Sequence, residues 1–109
     1  MENQIIISTM NDLPGYKVVE VYGEVFGLTT RSRHLISSIG QGLKTIAGGE
    51  IGGYTKLQKE TREEAMSRLK AEAIALGANA VLAMRFDSST FDTIDSVAAY
   101  GTAVRVEKI

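Results

Sequence analysis

From Lys17 to Leu28 the chain alternates with period two: Val19, Val21 and Val25 share one face, and Glu20, Tyr22, Glu24 and Phe26 share the other. This predicts a strand with its valine face toward the core. Gly23 and Gly27 within it mark a bulge, a bend or a close backbone approach. A shorter β-rich run, Ile5 to Ile7, precedes it and ends at the turn signal Asn11-Asp12-Leu13-Pro14-Gly15. Beyond Leu28 the spacing becomes helical twice. Leu35, Ile36, Ile39, Leu43 and Ile46 predict a first helix over Ser32 to Ala47, capped by Thr29, Thr30 or Ser32. Gly40 and Gly42 weaken that helix by about 1 kcal/mol each, so tertiary or subunit contacts must hold it.

The second helix, Tyr54 to Leu76, carries a stripe of Leu57, Thr61, Ala65, Leu69, Ala73 and Leu76, widened by Met66 and Ile74. Gly77 follows it as a helix-terminating residue. Two strands close the chain. Leu82, Met84 and Phe86 share a face of Asn79 to Asp87; Ala98, Tyr100, Thr102, Val104 and Val106 share a face of Ser96 to Glu107. The polar link Ser88 to Asp95 reads as the long loop of an antiparallel hairpin. Strands, then helices, then strands predict an α+β fold: a small, mostly antiparallel sheet packed against two helices, in one domain spanning residues 1–109. Edge strands of so small a sheet need covering, which favours an oligomer.

Composition narrows the chemistry. The chain has no cysteine, which excludes disulfides, thiolate metal sites and cysteine nucleophiles. A net charge of −1 gives no general attraction to nucleic acid. No segment approaches the run of about 20 apolar residues that crosses a bilayer, and MENQIIISTM has no signal-peptide pattern. A cytoplasmic protein without membrane or nucleic-acid partners is expected.

No catalytic signature stands out, and the expectation is a protein that is not an enzyme. Glu20 and Glu24 invite an acid–base pair, but four strand residues separate their Cα atoms by about 13 Å, beyond the roughly 5–9.5 Å used between glycosidase carboxylates. Gly48, Gly49, Gly52 and Gly53 form neither nucleotide-binding glycine pattern and predict a hinge, with Tyr54 packing at the helix start. His34, the one histidine, stands beside Arg31 and Arg33; a single histidine builds no metal site alone, since zinc needs three or four protein ligands, but oligomer symmetry could supply them. Arg62 borders the core stripe, where it would snorkel, bridge Asp87 or line a pocket.

Gly23-Glu24, Arg33, Gly48-Gly49, Tyr54, Thr61-Arg62, the GANAV of Gly77 to Val81 and the closing Gly101-Thr102-Ala103-Val104 occur in that order. In this the chain resembles, over nearly its whole length, the YbjQ-like family of small bacterial and archaeal proteins labelled "putative heavy-metal-binding". The resemblance implies a compact α+β subunit of a ring-shaped homo-oligomer, a pentamer or a pair of pentamers. It supplies no reaction and no ligand set. Combined with the residues above, the expected function is a metal ion or small ligand held at repeated subunit interfaces, the metal divalent and held by His34 and Glu24. Glu20, Tyr22, Arg31, Arg33, Tyr54, Arg62 and Asp87 are the further candidates for ligand or interface. A ligand-free scaffold is the alternative, and an enzyme with an inter-subunit active site a third reading.

Overall fold

The computed structural model describes residues 4–32, 52–91 and 94–109. Four strands and one helix appear among them: β1 (Ile6–Ile7), β2 (Tyr16–Ser32), α1 (Gly52–Ala75), β3 (Ala80–Phe91) and β4 (Ile94–Lys108). The sheet order is β1-β3-β4-β2, with β1 parallel to β3 and the other pairs antiparallel, so the sheet is mixed. The expected first helix falls almost wholly on residues outside the described ones, as do Arg33, His34 and the glycines at 48 and 49.

β2 runs four residues past the expected end at Leu28. Thr29, Thr30, Arg31 and Ser32, anticipated in part as helix caps, instead pair with Val97, Ser96, Asp95 and Ile94. The reason is the partner: β4 starts two residues before its expected start and offers a ladder, and Thr29 is buried beneath the helix-side surface. The expected loop Ser88 to Asp95 disappears for the same reason, since β3 and β4 stay paired out to Phe91 and Ile94.

Bulges overturn the assignment of faces. Register shifts lie between Val18 and Glu20 and between Val21 and Gly23, the second with Gly23 at φ +110°, where a glycine is needed. Each inserts one residue and inverts the alternation. Val25 is therefore fully buried, whereas Val19 and Val21 are 44% and 64% exposed. A third bulge, between Leu82 and Arg85, places Ala83 at φ 55°. It separates Leu82 from Met84 and Phe86, which were expected on the same face. The N-terminal segment braces this bulge: Ala83 N–H donates to the Met10 carbonyl at 2.8 Å and Met84 N–H to that of Ser8 at 3.0 Å.

The helix-side core joins Val25, Ala65, Leu69, Ala73, Val81, Met84, Ala99 and Ala103. Half of these are alanines, because α1 lies almost on the backbone of the sheet. A Cβ built at Gly27 would overlap the Ala65 carbonyl oxygen and stand 2.5 Å from Leu69 N. The other face holds a smaller cluster of Ala80, Leu82, Val104 and Val106, covered by Leu13 and Tyr16.

Every residue of the GANAV segment has a structural task. Gly77 takes φ +92°, its N–H donates to the Ile74 carbonyl, and Ala78 N–H reaches back to Ala73, which together terminate α1. Asn79 then pairs with β4 through its side chain, accepting from Val106 N–H at 2.8 Å and donating to the Val106 carbonyl at 2.9 Å. Ala80 and Val81 enter the two cores. Asn79→Ala strips both bonds from a half-buried strand pair; a loss of about 1–3 kcal/mol in urea unfolding is expected.

Candidate functional site

The bulge at Gly23 splits the polar face expected of Glu20, Tyr22, Glu24 and Phe26. Tyr22 packs on the helix-side core and donates its hydroxyl to Glu20 Oε1 at 3.1 Å. Its pKa is raised above the usual 10.0, first by desolvation and then by the Glu20 acceptor and its charge. The fold thus favours the protonated phenol, and that contribution is lost only as the pH climbs through the raised value, well above neutrality. Glu24 and Phe26 stand on the opposite face, opposite Thr102 and Tyr100, with the Phe26 and Tyr100 rings 6.4 Å apart and tilted by 34°.

That helix-free face is apolar and open. Val21, Phe26, Leu28 and Ile94 remain 64%, 46%, 59% and 42% exposed. β2 is also an edge strand, and α1 reaches round to seal part of that edge. Glu72 Oε1 accepts from Phe26 N–H at 2.7 Å, and Arg68 Nη1 donates to the Leu28 carbonyl at 2.6 Å. These bonds fix the direction in which the helix crosses the strand.

Arg31 and Arg62 come together in a cleft at the N-terminal half of α1. Arg31, from the end of β2, donates to Glu64 Oε1 at 2.6 Å, and Glu64 is held from its other oxygen by Arg68 at 2.9 Å. Arg62 lies over the Phe86 ring at 4.6 Å and does not bridge Asp87, because the alternation of β3 puts Asp87 on the face opposite Phe86. The cleft encloses about 540 Å³, within the usual range for small-molecule sites. Among the described lining residues, Arg31, Lys59 and Arg62 supply positive charge, Ser88 and Thr90 supply hydroxyls from the helix side of β3, and Asp95 is the one acid. The Nε–H of Arg31 is buried without an acceptor, an arrangement that costs about 1–3 kcal/mol.

Lys59 and the serines of this cleft were not singled out from sequence, because Ser88 to Thr90 read as loop. The legible signal was a run of three hydroxyl residues, alternate ones of which face a lysine and arginine one helical turn apart. Tyr54 falls in the first turn of α1 as expected.

The profile of the YbjQ-like family, described as "Putative heavy-metal-binding", matches residues 5–107. The chain belongs to the YbjQ-like family. It is 67% identical over 109 residues to a UPF0145 protein of Lactococcus lactis subsp. cremoris, with both chains covered completely. A UPF0145 protein of Mycobacteroides abscessus is 55% identical over 106 residues, 96% of this chain and 99% of that relative. The fold is similar to a crystal structure of a DUF74-family protein of unknown function from Pediococcus pentosaceus, at TM-score 0.59 and 16% identity, covering 94% of this chain and 98% of the other.

The metal description of the YbjQ-like family finds little support among the described residues. Among the described residues no three of His, Asp and Glu are grouped to hold an ion. Glu24 is exposed, with the strand partner Thr102, and the chain offers no thiolate for a soft metal. The donor set of a single chain, over the described residues, does not fit a heavy-metal centre. No described helix is long and apolar enough to cross a membrane.

Proposed function

We propose that this member of the YbjQ-like family is a cytoplasmic, non-enzymatic binding protein that assembles into a ring through its open sheet face. The observation that carries this reading is the apolar patch on the side of the sheet that α1 leaves uncovered. Val21, Phe26, Leu28 and Ile94 are all exposed there, and a second copy of the chain would cover them. The resemblance to the family favours five subunits.

Glu24 lies on the same face, so assembly would bring carboxylates of neighbouring subunits toward a common axis. This keeps a shared divalent ion, with His34, as the finer part of the proposal; a ring with no ligand is the alternative. Native mass spectrometry on protein purified without chelator tests both. The expected spectrum is a multiple of 11.8 kDa, collapsing to the single-chain mass in Leu28→Asp. A wild-type monomer would overturn the assembly, and a bare ring would overturn the shared ion.

A further inference from the structure

We infer that the cleft between the first half of α1 and the β3–β4 hairpin binds a phosphate-bearing small molecule. The reading goes beyond assembly, because every residue it uses comes from one chain. Among the described lining residues three cations stand against a single acid, Asp95, with Glu64 paired to Arg31 beside them, in a protein whose overall charge is −1. Positive charge is therefore concentrated here against the trend of the molecule, which favours a small anion over a nucleic acid.

The cations are held ready. Glu64 fixes one nitrogen of Arg31 at 2.6 Å and is itself braced by Arg68, so the guanidinium is oriented before any ligand arrives. Its Nε–H still has no acceptor. Arg62 is anchored over Phe86 at 4.6 Å. Guanidinium groups fixed in this way suit the oxygens of a phosphate, and a lysine adds a mobile point charge. The hydroxyls of Ser88 and Thr90, on the helix side of β3, match a polar, hydroxylated remainder and no apolar one. The volume of about 540 Å³ admits a molecule of sugar-phosphate size.

The test uses inorganic phosphate as probe and amide NMR as readout, on the full chain, with sodium chloride at matched ionic strength as control. Phosphate should shift the amides of Ser88 to Thr90 and Ser96 saturably, with a dissociation constant on the order of 1–10 mM. Lys59→Ala should weaken binding at least about fivefold and Lys59→Arg should restore most of it, as expected for one removed charge contact. Lys59 is exposed, so neither change threatens the fold. Absence of saturable shifts, equal shifts with chloride, or binding unchanged in Lys59→Ala would each overturn the proposal. A native mass spectrum of the same samples reports assembly independently, so failure of one reading is distinguishable from failure of the other.

Discussion

Gly27→Ala is expected to destabilise the protein by at least about 3 kcal/mol, at the upper end of what overpacking a core costs. The methyl group would occupy the position of the Ala65 carbonyl oxygen and press on Leu69 N at 2.5 Å. Both obstacles are helix backbone, which cannot rotate aside as a side chain can. The helix must instead lift from the sheet, loosening Leu69 and Ala73 and pulling Glu72 and Arg68 from their bonds to β2. Gly27 does not have a positive φ, so space and not backbone conformation is at stake. Gly15 makes the contrasting control, since its φ is +88° but nothing lies within 4 Å of its added Cβ. Alanine there should cost only about 1–2 kcal/mol of local strain. Urea unfolding of the two variants checks the difference, and equal losses would refute the close helix–sheet contact.

The second large effect is expected at Leu69. Apart from it, the fully buried residues of α1 are alanines, and it is among the largest completely buried side chains of the described core. The alanines above and below it, Ala65 and Ala73 on the helix and Ala99 and Ala103 on the sheet, are too short to fill the space vacated by Leu69→Ala. The expected loss is about 3–4 kcal/mol, from both transfer and cavity costs. Thermal unfolding should show it as a fall of more than about 10 °C. Val106→Ala, in the smaller cluster beyond the sheet, removes less volume and should cost less.

Much of this fold was legible in periodicity, and the failures share a cause. The stripe from Leu57 to Ala73 was readable because a helix keeps its period wherever its core lies. The exposed Leu76 comes after the helix has ended and so leaves the stripe. Strand faces were harder, because one inserted residue reverses them. Gly23 signalled a bulge, but nothing signalled the one at Ala83, where an ordinary residue takes a positive φ. Glu20 and Glu24 thereby parted company, and with them the polar face that had joined the candidate site. The cleft was only half visible: Arg31 and Arg62 were marked, but the hydroxyls were hidden in an apparent loop. Metal ligation by His34 lies outside the described residues, and Glu24 alone does not decide it.

The side chains of Glu72 and Arg68 occupy the outward amide of Phe26 and carbonyl of Leu28, groups that an added strand would need. A chain arriving at that stretch of edge must first evict two charge-assisted bonds, and it gains only the ladder in exchange. Growth by strand addition, which has no natural stopping point and leads toward fibrils, is thus obstructed at Phe26 and Leu28. What stays open to a second copy is the broad side of the sheet, the face the proposed ring would use. The helix therefore acts as a chaperone built into the chain, keeping this stretch of edge from templating another strand.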